Sequence, residues 1–302
     1  MKHAYLIIAH QKWNQLIMLL QQIDSENNDI YIHIDKKAKN VPIDLIKSSV
    51  KKSKIEIYQK YKVYWGSFEI VQSELLLFEE ASKQKYDYYH LLSGMDLLIK
   101  SQSEIAEFFE KNKGYEFVHF DTEERLKQDN EIKRRTKLYH FLQNYRRRYK
   151  IKLFNEIFTF LERLLLVIQI VLHIDRMKKH PEIKVKYGSQ WVSITDSLVN
   201  YILQKEELIY QIFKYTNCAD ELFIQTLVYN SEFKEKLFDK NYNDSQLANM
   251  RLIDMKKRGN NGNPYTWRYS DSNEIDESQC LFARKFDIDV DEKIIKQICN
   301  KG

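Results

Sequence analysis

The sequence predicts an α/β fold with a mostly parallel central sheet, on three observations. Short apolar runs of strand character recur along the first third of the chain, at residues 1–10, 29–35, 54–58 and 86–92. Between them lie segments with apolar residues at helical spacing, and strand–helix–strand alternation of this kind implies parallel pairing. The 302 residues are 43% apolar and 13% aromatic, with only seven Gly and three Pro, enough for a sizeable core and too few breakers for long linkers or repeats.

Each element follows from its local pattern. Residues 1–10 form a buried first strand; their apolar run is too short for a signal peptide and lacks a small-residue cleavage site. Trp13, Leu16, Ile17, Leu19, Leu20 and Ile23 mark the first helix, and 29–35 and 54–58 the next strands. A helix over 68–81 leads to a fourth strand at 86–92, which ends at Ser93-Gly94-Met95-Asp96. Ser101 and Glu104 make a helix capping box. Ligands of open α/β sheets gather beyond the carboxyl ends of the strands, so His10, Asp35, Ser93, Gly94 and Asp96 are candidates to line a site. The alternating 287–291 segment, Asp-Ile-Asp-Val-Asp, reads as an exposed strand or edge.

Two further segments carry chemistry. Asp220 and Glu221 are adjacent carboxylates at the opening of an otherwise apolar helix, where acids also serve as ordinary partners of the helix dipole. Near the C-terminus an apolar segment is interrupted by Arg284 and Lys285, which could hold a phosphate by charge and hydrogen bonds. A carboxylate base with a fixed cation is what a sugar-nucleotide transferase needs. Cys218, Cys280 and Cys299 have no paired metal-ligand spacing, and their odd number suits a reducing compartment, with the cytoplasm as default.

The 29–37 run Asp-Ile-Tyr-Ile-His-Ile-Asp-Lys-Lys, then Tyr64-Trp65-Gly66-Ser67 leading into Val71-Gln72-Ser73-Glu74-Leu75, and the 88–100 run resemble in order the core-2/I-branching β-1,6-N-acetylglucosaminyltransferases. Tyr187-Gly188-Ser189-Gln190-Trp191, the Asp220-Glu221 segment and residues 281–287 extend the resemblance to about nine-tenths of the chain. It implies a GT-A-like fold, in one domain with a nucleotide-sugar-binding half at 1–120 and an acceptor-binding, catalytic half at 121–302. It also implies inverting transfer from a UDP-sugar to a glycan acceptor without a metal ion, in a family that includes xylosyltransferases. Consistent with that, residues 94–96 read Gly-Met-Asp in place of a metal-clamping Asp-x-Asp.

By the same resemblance Glu221 is the catalytic base and Lys285 balances the departing diphosphate, with Arg284 assisting. Trp65 and Trp191 are expected to stack on sugar or support the pocket, and Arg134, or its neighbour Arg135, and Asp220 to lie on the acceptor side. The family's second diphosphate-binding Arg has no clean counterpart, since Arg268 does not align with it. N-acetylglucosamine is the expected sugar; xylose, glucose and galactose are the alternatives. The chain opens in its first strand without the stem of mammalian members, which points to bacterial surface polysaccharide assembly.

Between Ile132 and Asn155 the sequence departs from the family, with nine Lys or Arg residues and no acid, and an uncharged run follows at 164–174 before Arg176, Lys178 and Lys179. Eleven residues rise too little to span about 30 Å of hydrocarbon. Basic flanks around an apolar helix suit peripheral docking on an anionic membrane, where a lipid-linked acceptor would be found; a solvated basic face on a core helix is the alternative. This basic and apolar insertion covers about 132–180. Nucleic-acid binding and a non-catalytic carbohydrate-binding role are the readings from other classes. The net charge of only +5, 43 dispersed acids and the lack of a nucleic-acid-binding signature weigh against the first.

Overall fold

In the computed structural model, residues 1–146, 148–149, 151–255, 258–259 and 263–301 are described. The chain runs β1 (His3–Ala9), α1 (Trp13–Ile23), β2 (Asn28–Ile34), α2 (Ile43–Ser48), β3 (Ile55–Tyr58), α3 (Glu69–Ser82), β4 (Tyr88–Ser93), β5 (Asp96–Leu98) and α4 (Gln102–Lys111). It continues through α5 (Glu123–Gln128), α6 (Asn130–Lys137), α7 (Lys152–Val171), β6 (Ser193–Thr195), α8 (Asp196–Gln204), α9 (Glu206–Phe213) and α10 (Phe223–Tyr229). The last elements are β7 (Arg251–Ile253), α11 (Ser272–Glu277), β8 (Phe282–Arg284) and α12 (Glu292–Cys299).

The main sheet has the order β3-β2-β1-β4-β6. All its pairings are parallel except β4 with β6. The predicted α/β class with a mostly parallel sheet is therefore present. Alternate residues of the inner strands feed two cores: Ala4, Leu6, Tyr31, Tyr89 and Leu91 pack with α3 and α8, while Tyr5, Ile7, Ile30, Ile32 and Leu92 pack with α1, α4 and α12. Both faces are covered, which is why β1, β2 and β4 read as continuous apolar runs.

Three expectations are corrected. Asp96 does not end the fourth strand: β4 stops at Ser93, and Asp96 begins β5 of a second sheet, ordered β5-β8-β7. The 287–291 segment is a turn, not a strand, and Asp291 caps α12 through the amide of Ile294. Its Asp-x-Asp spacing grips Lys12, whose ammonium lies 2.9 Å from Asp287 and also contacts Asp289. Asp220 and Glu221 lie in a separate 3-10 turn, Ala219–Glu221, just before α10. The Ser101–Glu104 capping box is formed as predicted.

Candidate active site

The parallel topology brings the carboxyl ends of β1, β2 and β4 to one edge of the sheet. Asp35 follows β2, accepts the Lys37 amide at 2.8 Å and pairs with the Lys37 ammonium at 3.3 Å. Ser93 ends β4, and buried Asp96 accepts both the Ser93 amide and its hydroxyl at 2.8 Å. Gly94 fits closely against Ala9, the last residue of β1. His10 follows directly, and its pKa is lowered by desolvation, raised by nearby Asp35 and lowered by Lys37 and Arg284. Four of the predicted donor-side positions, His10, Asp35, Ser93 and Asp96, thus meet Arg284 or its close partners in one region.

Arg284 reaches this edge because β8 pairs antiparallel with β5, setting Arg284 opposite Asp96. Its guanidinium bonds to Asp96 at 2.7 Å, contacts the Ser93 hydroxyl, and lies 4.7 Å from the ring centre of Trp191. Lys285 follows on the same edge, its amide and carbonyl paired with Tyr265 and Trp267. Among the described residues no hydrogen bond or ion pair engages its ammonium, so its charge is less neutralised than that of Arg284. The electrostatic influence of Lys285 reaches Asp287, whose pKa is lowered chiefly by hydrogen bonds from Lys12 and the Asp289 amide against the opposing effect of desolvation. Arg268 is exposed. Arg258, farther upstream, stacks on Tyr265 and Trp267 and is committed to Asp254, Asp271 and Glu274.

A second cluster forms around Glu221, about a third of whose side chain is exposed. Arg135 of α6 donates to Glu221 Oε2 at 2.8 Å, and Tyr187 hydrogen-bonds to the same carboxylate. Burial raises the Glu221 pKa, and Arg135 and Tyr187 pull it down. Arg134, one position earlier on α6, is exposed, and it is Arg135 that turns toward Glu221. Asp220 turns inward: burial and then the Glu221 charge raise its pKa, and Asp220 in turn helps raise that of fully buried Glu74 of α3, after burial. Trp65 is 54% exposed. It adjoins Gly66, whose carbonyl accepts the Cys218 amide at 3.0 Å, so Trp65 borders the Ala219–Glu221 turn.

One loop joins the two clusters. The Gly188 amide donates to the Glu221 carbonyl at 2.9 Å, Gln190 donates to Glu74 at 2.6 Å, and Trp191 carries Arg284 on its ring. Asn249 and the buried Arg251 fix the far end through the carbonyls of Trp191 and Val192, each at 2.8 Å. The half-open carboxylate and the two cations therefore sit on opposite ends of a four-residue segment, Gly188 to Trp191. Arg135 was named beside Arg134 for the acceptor side, and it is Arg135 that holds Glu221; Tyr187, Gln190 and Glu74 were not singled out for their roles. The motif containing Tyr187 and Gln190 and the run containing Glu74 were legible, but single-residue roles needed their partners.

The Core-2/I-Branching enzyme family profile matches residues 3–278. A xylosyltransferase of Ciona intestinalis and xylosyltransferase 2 of Rattus norvegicus are each 22% identical over 249 residues, 79% of this chain. The chain spans 26% of the length of those curated relatives. Among solved structures, mouse xyloside xylosyltransferase 1 aligns over 94% of this chain and 97% of its own, with a TM-score of 0.37 and 9% identity. Core-mannan synthase A of Aspergillus fumigatus aligns over 77% and 71%, with a TM-score of 0.34 and 9% identity. With that profile covering nearly its whole length, the chain belongs to the Core-2/I-Branching enzyme family.

Proposed function

We propose that this protein is an inverting glycosyltransferase that moves a sugar from a UDP-sugar to a hydroxyl of a glycan acceptor, in one domain whose first 120 residues serve mainly the donor. The observation that carries this reading is the half-open Glu221 carboxylate held by Arg135 and Tyr187, one short loop from Arg284 and Lys285. In the reaction the acceptor oxygen attacks the anomeric carbon from the face opposite UDP, and the bond to the diphosphate breaks. Glu221 takes the acceptor proton as the new bond forms. The leaving diphosphate keeps the bonding electrons, and Lys285 balances the added charge. A single displacement inverts the anomeric configuration.

Side chains, not a divalent ion, carry the countercharge in this reading. Its support is that the carboxylates beside the donor edge are already engaged: Asp96 by Arg284 and Ser93, and Asp35 by Lys37. N-acetylglucosamine is the sugar we assign. Xylose is the second reading, favoured by the names of the relatives. The setting we assign is bacterial surface polysaccharide assembly in the cytoplasm at the inner membrane face, with a lipid-linked acceptor. No helix of the described residues is long and apolar enough to cross a membrane.

The test is a screen of UDP-GlcNAc, UDP-xylose, UDP-glucose and UDP-galactose for transfer or hydrolysis in EDTA, with Glu221→Gln as control. One sugar turned over in EDTA, and lost in the variant, supports the reading. Absence of turnover with all four donors, together with no UDP effect on the melting temperature, overturns it.

A further inference from the structure

Helix α7 is built inside out. A surface helix normally buries its apolar stripe and shows water its polar one. Here the two buried residues are Glu162 and Gln169, seven positions apart and so on one face. Glu162 accepts the Leu142 amide at 2.9 Å and pairs with His140 at 3.1 Å. Gln169 accepts the Tyr139 amide at 2.7 Å and donates to the Tyr139 carbonyl at 3.0 Å.

The opposite face is apolar and open. Leu153, Ile157, Phe160, Leu164, Val167 and Val171 are 43–69% exposed. At 100° per residue they fall within about 40° of one line along a helix of roughly 30 Å. A continuous apolar stripe of that length on a protein surface marks a contact with something apolar.

We infer that α7 lies flat in the headgroup–acyl boundary of an anionic lipid bilayer, with this stripe downward and the polar Glu162–Gln169 face gripping the protein. Charge selects the occupant. Exposed Arg148 and Lys152 stand at one end of the helix, and exposed Lys178 and Lys179 lie just beyond the other. A second copy docked stripe to stripe would set cation against cation in either direction, because both ends are basic. An anionic headgroup layer meets both ends at once. The polar face also excludes a spanning arrangement, since Glu162 and Gln169 are spent on residues 139–142.

That same segment directly follows α6, which carries Arg135 to Glu221. On the glycosyl-transfer reading, and resting on it, the bilayer lies on the acceptor side of the base, and the acceptor is presented from the membrane.

The experiment is vesicle flotation of the 302-residue chain, with phosphatidylcholine alone and with phosphatidylcholine–phosphatidylglycerol mixtures. At least tenfold more protein should float with the anionic vesicles. Phe160→Asp/Leu164→Asp/Val167→Asp should cut that fraction at least tenfold, and Arg148→Gln/Lys178→Gln/Lys179→Gln should bring it to the phosphatidylcholine level. Overturning results are no flotation of the wild type, equal flotation with both lipids, or a wild-type dimer that the Asp variant converts to monomers without vesicle binding. The UDP-induced melting shift, measured without vesicles, reports the donor site separately: its loss with flotation intact sinks the transferase reading and leaves the docking face standing.

Discussion

Glu221 is held between opposing effects, and on the proposed reading their balance sets the pH at which it takes a proton. Burial favours its neutral form, while the Arg135 guanidinium and the Tyr187 hydroxyl favour the carboxylate. Glu221→Gln should lower kcat by on the order of 100-fold or more while UDP still binds, which steady-state rates and calorimetry would check. Arg135→Leu should leave burial opposed only by the Tyr187 hydroxyl and the Arg125 charge, so the Glu221 pKa rises and the acid limb of the kcat/KM profile moves to higher pH by roughly one unit or more. A limb that stays in place would remove Arg135 from this role, and Arg135→Lys should restore part of the shift. Glu74 offers a stability test of the opposite kind. Its folded pKa lies well above its ordinary 4.5, because of burial first and Asp220 second. Such a group favours the folded state fully below pH 4.5, and that contribution is lost as pH rises toward the folded pKa. Glu74→Gln keeps an acceptor for Gln190 and does not titrate. Its melting temperature should match the wild type near pH 4 and exceed it by a growing margin toward pH 8; a margin that shrinks with pH would contradict the account.

The element that matters most is the Gly188–Trp191 segment, and Gly188 shows why it tolerates little. A Cβ there would sit 2.0 Å from the His119 carbonyl oxygen, and the same residue's amide holds the Glu221 carbonyl. Gly188→Ala must shift one backbone or the other, at a cost of about 3 kcal/mol by the measure of overpacked sites; denaturant unfolding gives the number, and a change under 1 kcal/mol would show that the loop yields freely. How much of such architecture can be read from sequence depends on what each signal encodes. β1, α1, β2 and α3 were legible because two-residue and 3.6-residue periods differ, and the Ser101–Glu104 box because its spacing is local. The 287–291 turn was misread because acidic and apolar alternation suits an edge strand as well as a turn closing on a capped helix. Asp220 and Glu221 were placed in a helix opening, yet Cys218 has φ of +51° and a separate 3-10 turn precedes α10. The uncharged run at 164–174 pointed to an apolar helix but not to the face that α7 buries, since apolar residues alone do not say whether they meet a core or a bilayer. Arg134 and Arg135 lie about 100° apart on one helix, and only packing decides which meets Glu221. Of the nine basic residues counted there, Arg147 and Lys150 lie outside the described residues.

At the scale of the whole molecule, the edge proposed to bind the donor is assembled from the two ends of the chain. The ends of β1, β2 and β4 supply His10, Asp35 and Ser93, and the start of β5 supplies Asp96. β8 returns nearly two hundred residues later to lay Arg284 against Asp96, while Lys12 ties the start of α1 to Asp287 and Asp289. This long-range closure gives the two neighbouring cations different jobs. Arg284 is locked to Asp96, itself buried, so removing its side chain leaves a carboxylate without its countercharge. Arg284→Ala should therefore destabilise the fold by about 3 kcal/mol, the scale of a buried pair broken on one side, and weaken UDP binding as well. Lys285 has no such partner among the described residues. Lys285→Ala should change stability by no more than about 0.5 kcal/mol, as for a surface substitution. Its UDP affinity should fall by on the order of 100-fold, the effect of losing about 3 kcal/mol of charge stabilisation. Calorimetric UDP titrations and thermal melts of both variants, each with magnesium and with EDTA, separate the two roles. If Lys285→Ala unfolds the chain, or binds UDP like the wild type, or if magnesium restores its affinity, the cation balancing the diphosphate is not Lys285.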